Sequence, residues 1–331
     1  MRYGLGVRKM ALVEYTLEGT VNKVQIAIDR LRNFEPPEGY YVAFSGGKDS
    51  VVVKKLCDLA GVKYDAHYRV TSVDPPELVQ FIRDAYPDVS RDVPKDKDGK
   101  PITMWTLIPK KLMPPTRPAR YCCAQLKETG GKGRITVTGV RWSESVNRKK
   151  NQGLVTFATK AKTISGQSRN NGLFVGTERG WVVLNNDNGE TRRLVEQCYK
   201  NAKTTLNPII DWTDAEVWEF IREYNVPYCK LYDEGFTRVG CIGCPMNTNA
   251  EEEFHRWPKY REQYIRSFEK MIAEIKKRGG NKSPNPFTSG EAVMDWWLHG
   301  GSKGSENIEG QIEIGEGENG NQELHDIGGH V

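Results

Sequence analysis

Residues 40–56 read YYVAFSGGKDSVVVKKL, an apolar β-rich run followed by a glycine turn and a second apolar run. This order predicts a strand, a loop and a helix. A loop in that position aims successive backbone N–H groups and the positive end of a helix at one point, and such a point binds phosphate. The residues that would form the loop are Ser45, Gly46, Gly47, Lys48, Asp49 and Ser50.

The residue types in this loop suit an anion. The glycines let the backbone approach closely, Lys48 adds a positive charge, and the hydroxyls of Ser45 and Ser50 can donate to phosphate oxygens. The pattern is not a Walker A loop, which would need Gly in place of Val42 and Ser or Thr in place of Asp49. A tight turn with a capping serine is the alternative interpretation.

Strand and helix patterns alternate along the chain. An amphipathic helix is predicted from about Leu17 to Phe34, further strands at Ala66–Val70 and Ile135–Val140, and a helix at Glu77–Ala85. This alternation predicts an α/β fold with a parallel twisted sheet covered by helices on both faces. We expect an N-terminal helix in residues 1–37, a nucleotide-binding domain in 38–245 with an insertion at about 151–197, C-terminal helices in 246–299 and a disordered acidic tail in 300–331.

Charge and composition narrow the class of protein. The net charge of +5 combines −6 in residues 301–331 with +11 in the rest of the chain, a basic balance that suits a nucleotide or a nucleic acid. No apolar run reaches the roughly 18 residues of a membrane span, and residues 1–16 contain no apolar stretch typical of a secretory signal. We therefore expect a cytoplasmic protein. Disulfides are rare in that compartment, so the seven cysteines are not expected to form a disulfide framework.

The loop resembles the PP-loop of the adenine-nucleotide α-hydrolases, and later motifs resemble one branch of that superfamily, the phosphoadenosine phosphosulfate (PAPS) reductase family. The resemblance extends from about residue 40 to 245. The motifs are Thr71–Glu77, Tyr121–Cys123 with Lys127, Gly139–Arg141 with Glu144, Ser145 and Arg148, Asn207–Ile209 with Asp211–Thr213, and Leu231–Asp233 before Gly240 and Cys241.

The resemblance implies how a nucleotide would bind. Residues 45–50 would hold the phosphates of ATP or an adenylyl sulfate, and Mg²⁺ would offset their charge. Thr71 would border the adenosine, and Gly139 with Arg141 would return to the phosphate or sulfur-bearing end. Lys48, Asp49 and Arg141 are then the candidate catalytic residues.

Several of these acidic and basic residues also have structural interpretations. Arg141 could form a surface ion pair with Glu144, and Asp49 could be either a Mg²⁺ contact or a helix N-terminal charge. Asp74 and Glu77 could hold a metal or the ribose, although a cap at the start of a helix explains them as well.

Two cysteine pairs lie far apart in the sequence, Cys122-Cys123 and Cys241 with Cys244. Adjacent cysteines suit a [4Fe–4S] cluster, whose irons take separate sulfurs, better than one tetrahedral Zn²⁺. The spacing also resembles the cluster-binding subset of the family. Zinc, a redox dithiol and replacement of one ligand by Cys198 stay open.

The resemblance breaks at the C-terminal side, because reductases of the family use a cysteine in a Glu-Cys-Gly motif and no cysteine follows Cys244 here. We therefore expect an ATP-using sulfur-transfer enzyme that adenylates an acceptor, with a sulfur donor protein and a nucleic-acid acceptor as candidate partners. The alternatives are an adenylyl-sulfate or PAPS reductase and a non-catalytic nucleotide and cluster sensor subunit.

Overall fold

The computed structural model describes residues 12–16, 19–158, 175–176, 182–186, 188–200, 202–278 and 287–301. Ten strands lie in these residues. They are β1 (Val13–Thr16), β2 (Gly19–Asn22), β3 (Tyr40–Phe44), β4 (Tyr64–Arg69), β5 (Ser90–Asp92), β6 (Ile135–Val137), β7 (Val155–Phe157), β8 (Val175–Gly176), β9 (Val182–Leu184) and β10 (Thr204–Leu206).

Ten α-helices accompany the strands in the described part of the chain. Short helical turns at Cys123–Lys127, Trp142–Glu144, Lys230–Tyr232 and Trp297–Gly301 supplement them. The α-helices are α1 (Lys23–Asn33), α2 (Lys48–Ala60), α3 (Pro76–Ala85), α4 (Met104–Lys111), α5 (Val146–Asn151), α6 (Gly189–Cys198), α7 (Asp214–Glu223), α8 (Ala250–Arg256), α9 (Pro258–Lys277) and α10 (Gly290–Trp296).

The main sheet has the strand order β5-β4-β3-β6-β10-β7-β9-β8, and the first five strands are parallel. The chain runs outward from β3 to β4 and β5, then returns to β6 on the other side of β3. The carboxyl ends of β3 and β6 therefore form a topological switch point, where α/β folds bind ligands. The predicted α/β class is confirmed, and the glycine loop lies at this switch point.

Residues 151–197 contribute to the sheet itself. They supply β7, β9 and β8, which extend it by antiparallel pairing beyond β10. The sheet is therefore mixed, whereas the sequence predicts a parallel one. β7 and β8 are too short to show a strand pattern in the sequence. Residues 159–174 and 177–181 lie outside the described part.

The first helix begins later than the sequence indicates. Asn22 caps α1 by accepting hydrogen bonds from the backbone N–H groups of Val24 and Gln25 at 3.0 and 3.1 Å, and residues 19–22 pair with β1 instead. The helix predicted from Leu17 therefore starts at Lys23. The helical periodicity of the sequence continues through residues 19–22. Only their pairing with β1 shows that these residues form a strand.

The described residues of the C-terminal region are mainly helical, as predicted, and residues 279–286 and 302–331 lie outside the described part. Tyr264 of α9, Phe268 and Trp297 pack in one aromatic cluster. The buried hydroxyl of Tyr264 donates to the carbonyl of Ile242 at 3.1 Å, so α9 fixes the segment that carries Cys241 and Cys244. Among the described helices, none combines the length and the apolar character needed to cross a bilayer.

Candidate functional site

The loop between β3 and α2 has a shape that its own residues maintain. Gly46 has a left-handed φ of 73°, which a side chain rarely adopts, and Gly47 caps α2 without a side-chain hydrogen bond. The hydroxyl of Ser50 donates to the Gly47 carbonyl at 2.8 Å and accepts the backbone N–H of Ser45 at 3.2 Å. The serines thus hold the loop closed at the start of the helix, and their donation to phosphate oxygens stays a prediction.

Lys48 is buried at the first position of α2, with 8% of its surface exposed. Its ammonium lies 3.2 Å from Asp214 Oδ1 and donates to the Thr237 carbonyl at 3.2 Å. Its backbone N–H donates to the Tyr232 hydroxyl at 2.9 Å. Residues 232–237 therefore lie against the loop, although they are about 190 positions away in sequence.

Arg141 is 2% exposed and points its guanidinium at the loop. Nε lies 2.7 Å from Asp49 Oδ1, and an NH₂ group lies 3.0 Å from Asp214 Oδ1. Glu144 accepts the backbone N–H of Arg141 at 3.0 Å and does not pair with its guanidinium. The interpretation of Arg141 as a surface ion-pair partner of Glu144 is therefore wrong, because the tertiary fold offers it two nearer carboxylates.

Gly139 allows the chain after β6 to approach α2 closely. A Cβ on Gly139 would lie 2.8 Å from the Cβ of Asp49 and 2.9 Å from its carbonyl oxygen, so the backbone after β6 can pass α2 only without a side chain. Asp214 bridges Lys48 and Arg141. It is not predicted as a site residue from the sequence. The sequence indicates only the start of α7 there, where Thr213 caps the helix.

Two further arginines extend the positive charge around the loop. Burial and the charge of Arg238 lower the pKa of Arg148, and Asp49 and Arg141 also act on it electrostatically. One carboxylate-lined site thus has four cations around it: Lys48, Arg141, Arg148 and Arg238. Three carboxylates accompany these four cations: Asp49, Glu144 and Asp214.

The carboxyl end of β4 leads from the loop to the thiols. Thr71, 1% exposed, accepts the Val73 N–H at 3.2 Å, and its hydroxyl lies 3.7 Å from the Cys241 sulfur. Asp74 accepts from the Tyr68 hydroxyl at 2.5 Å and lies 3.6 Å from the same sulfur. Thr71 and Asp74 therefore both lie next to the Cys241 thiol.

Glu77, proposed alongside Asp74 as a metal or ribose ligand, lies elsewhere. It accepts from the indole N–H of Trp257 at 3.1 Å and pairs with Arg256 at 3.3 Å. Its contacts are thus with the helical C-terminal region, which explains Glu77 as a structural residue.

The two cysteine pairs are brought into one neighbourhood. Cys122 hydrogen-bonds to Cys123, and their neighbours Cys241 and Cys244 act on it electrostatically and raise its pKa further. Burial raises the pKa of the Cys241 thiol to about 12, and the ammonium of Lys127, which hydrogen-bonds to it, opposes that rise. Arg120 donates to the Cys123 sulfur at 3.5 Å.

These donors suit an iron–sulfur cluster in number and chemistry, since four thiols are what such a cluster takes from a protein. They do not stand in ligand positions, because the described residues contain no group of three or more His, Cys, Asp or Glu arranged to hold a metal ion. Cys57 and Cys229 are buried apart from the site, as expected of packing residues. The side chain of Cys198 lies outside the described part of the chain.

The comparisons with known proteins agree with this geometry. The family model described as the phosphoadenosine phosphosulfate reductase domain matches residues 39–247, more than half of the chain. An uncharacterised protein of Methanocaldococcus jannaschii is 26% identical over 246 residues, which cover 72% of this chain and 47% of that protein.

Shorter segments of the chain match proteins that are named as enzymes. The adenosine 5'-phosphosulfate reductase of Bacillus anthracis is 28% identical over 89 residues, 25% of this chain and 39% of that enzyme. The one from Allochromatium vinosum is 37% identical over 59 residues, 17% of this chain and 23% of that enzyme. The chain therefore spans about half or less of the length of these curated relatives.

Among solved structures, the phosphoadenylyl-sulfate reductase from Candida auris is 16% identical and gives a TM-score of 0.38, with 65% of this chain and 87% of that chain covered. The extent of the family match and the glycine loop at the switch point lead to one assignment. The chain belongs to the phosphoadenosine phosphosulfate reductase family.

Proposed function

We propose that this protein is an ATP-using sulfur-transfer enzyme, which adenylates an acceptor and then replaces the activated oxygen by sulfur. The observation that carries the proposal is the charge around the loop, with four cations, Lys48, Arg141, Arg148 and Arg238, next to the carboxylates of Asp49 and Asp214. This set favours a magnesium triphosphate, because the cations match the phosphate oxygens while the carboxylates suit the hard metal ion. An adenylyl sulfate carries less charge than a triphosphate.

The first step of the proposed reaction takes place at the loop. An acceptor oxygen attacks the α-phosphorus of ATP, the bond to the bridging oxygen of the β-phosphate breaks, and pyrophosphate leaves with the electron pair. Lys48, Arg141 and the backbone N–H groups of residues 45–50 would stabilise the charge that develops on the phosphoryl oxygens. Asp214 would position both cations, since it contacts each of them.

The second step needs a sulfur nucleophile close to the adenylated acceptor. The nucleophile bonds to the acceptor atom that carried the oxygen, and AMP leaves with that oxygen. Cys122, Cys123, Cys241 and Cys244 would hold the [4Fe–4S] cluster that the family resemblance implies. With four thiolate ligands each iron of such a cluster is already bound by the protein, so the sulfur nucleophile would come from the sulfur donor.

The thiols are within reach of the loop. The carbonyl of Val239 lies 3.8 Å from the position a Cβ on Gly47 would take, and Cys241 follows two residues later. Two residues of extended chain span at most about 7 Å. A nucleotide in the loop would therefore have its phosphates near Cys241.

The partners belong to the same proposal. Arg148, Lys149 and Lys150 lie beside the loop on α5 and would meet the phosphate backbone of a nucleic-acid acceptor. Lys160 and Lys162, the next lysines along the chain, lie outside the described part. A sulfur donor protein would supply the nucleophile, and free thiols of this kind indicate a reducing compartment such as the cytoplasm.

A second candidate is reduction of an adenylyl sulfate. The matches to adenosine 5'-phosphosulfate reductases favour it, although they cover at most a quarter of this chain. A third candidate, a nucleotide and cluster sensor, would bind the nucleotide and release no product.

The deciding experiment compares products. Purified protein is given ATP with each candidate acceptor, adenosine 5'-phosphosulfate or PAPS under anaerobic conditions, and pyrophosphate and sulfite are measured. We expect pyrophosphate from ATP, and loss of it in Lys48→Ala but not in Lys55→Ala, whose lysine lies two turns farther along α2. Sulfite would establish the second candidate, and nucleotide binding with neither product the third.

A further inference from the structure

The turn that carries Cys241 and Cys244 is hydrogen-bonded to three different parts of the fold. Near its start, the N–H of Ile242 donates to the carbonyl of Val73, after β4, at 2.8 Å, and the Ile242 carbonyl accepts from α9 at 3.1 Å. These two bonds hold the half of the turn that carries Cys241. The half that carries Cys244 depends on α8.

The contact with α8 is made by Glu253, which has 6% of its surface exposed. Its Oε2 accepts the backbone N–H of Gly243 at 2.8 Å, and its Oε1 accepts the side-chain amide of Asn247 at 2.7 Å. The backbone N–H of Asn247 in turn donates to the Cys244 carbonyl at 2.8 Å. The two oxygens of one side chain therefore hold the chain on both sides of Cys244.

Gly243 allows the turn to lie directly against α8. It has a left-handed φ of 67°, and a Cβ on it would lie 2.4 Å from Cζ of Phe254, the residue that follows Glu253. Phe254 is 4% exposed and packs edge-on against Tyr264, with ring centroids 5.7 Å apart, so its ring has little room to withdraw. The position of this half of the turn is thus set by α8.

A carboxylate suits these two bonds better than any other side chain of its length. It has two acceptor oxygens and no donor, whereas a glutamine has one acceptor oxygen and could take only one of the two bonds. Both groups that Glu253 accepts from are neutral. Burial of a carboxylate among neutral donors costs free energy that an apolar side chain would not cost, so packing alone does not explain Glu253.

We propose that Glu253 is a positioning residue of the thiol site, which fixes Cys244 near the pair Cys122 and Cys123. Cys244 acts electrostatically on Cys122, so it lies on the side of the turn that faces this pair. Cys241 is held from the other half of the turn and does not depend on Glu253. The inference rests on the thiol site of the proposed function, but not on the nature of the group that binds there.

The test measures how fast each thiol of the full-length protein reacts with iodoacetamide after a chelator has removed bound metal. Tandem mass spectrometry separates Cys241 from Cys244. Glu253→Ala removes both acceptors, so Cys244 should react about tenfold faster or more than in wild type, while the rate of Cys241 changes less than about twofold. Glu253→Gln keeps one acceptor and should give an intermediate Cys244 rate. Glu252→Ala, at the exposed neighbouring residue of α8, should leave both rates unchanged.

A second control separates loss of position from general loss of stability. Val293 of α10 is 0% exposed, so Val293→Ala should destabilise the protein by opening a cavity while both hydrogen bonds of Glu253 stay in place. It should not make Cys244 react faster relative to Cys241. The proposal is overturned if Glu253→Ala accelerates Cys241 and Cys244 equally, if it accelerates neither, or if Val293→Ala reproduces its selectivity for Cys244.

The visible absorption of anaerobically reconstituted protein gives an independent readout. Glu253→Gln should keep the absorption of an iron–sulfur cluster and Glu253→Ala should lose most of it, because residues that orient metal ligands control how well the metal is held. Equal absorption in Glu253→Ala and wild type would also overturn the role of Glu253. If wild type itself shows no such absorption, the proposed cluster fails, and the alkylation rates alone decide the role of Glu253.

Discussion

Replacing Gly46 by alanine should destabilise the protein and displace the phosphate loop. Gly46 has a φ of 73°, and a Cβ there would lie 2.7 Å from Leu78 Cδ1 and 2.8 Å from Ile82 Cδ1 of α3. Leu78 and Ile82 are 1% and 0% exposed, so neither has room to withdraw. The left-handed backbone costs about 1–2 kcal/mol for a residue with a Cβ, and overpacking of a core costs about 1–3 kcal/mol more.

Gly61 provides the matched control at the other end of α2. It has a similar φ of 68°, and a Cβ on it would meet no atom within 4 Å. Gly61→Ala should therefore cost only the backbone contribution, about 1–2 kcal/mol, without the packing contribution. The difference between the two variants isolates the contact of the loop with α3.

Urea unfolding of both variants measures these costs, and titration with an ATP analogue measures the loop. Gly46→Ala should lose about 1–3 kcal/mol more of the free energy of unfolding than Gly61→Ala, and it alone should weaken nucleotide binding. Equal losses in the two variants, within about 0.5 kcal/mol, would refute the packing argument. Unchanged nucleotide affinity in Gly46→Ala would refute the assignment of this loop to phosphate binding.

Three further predictions follow from the site and its surroundings. Arg141→Lys keeps the charge but cannot contact Asp49 and Asp214 together, so pyrophosphate release should fall about tenfold or more while nucleotide binding persists; turnover equal to wild type would contradict this. Burial alone would raise the pKa of Asp211, but the hydrogen bonds and charge of Arg30 lower it. Stability from this pair is present above the unfolded pKa and lost as the pH falls through the folded one, so Asp211→Asn should reduce acid sensitivity in unfolding titrations, and an unchanged titration would exclude the pair as its source. Anaerobically reconstituted protein should show the visible absorption of an iron–sulfur cluster that Cys241→Ser loses and Cys57→Ala keeps; equal spectra for the three would remove Cys241 from the ligand set.

The sequence predicts the parts of this protein that depend on neighbouring residues. The strand, glycine loop and helix of residues 40–60 are found where the pattern indicates, and so is the cap of α7 by Thr213. The antiparallel strand β7 was missed because its three residues show no useful periodicity. The start of α1 was misplaced because residues 19–22 pair with β1 in a local hairpin, which the helical periodicity of this segment concealed.

The proposed phosphate cradle was readable from the chain alone, because the N–H groups that would form it belong to consecutive residues. The partners of Arg141 were not, because Asp49 and Asp214 lie 92 and 73 positions away from it. Strand order decides which distant residues meet, and the return of the chain from β5 to β6 brings Arg141 to the loop. The same crossing puts Thr136 beside Tyr41, so this pair of neighbouring hydroxyls exists only in the folded sheet.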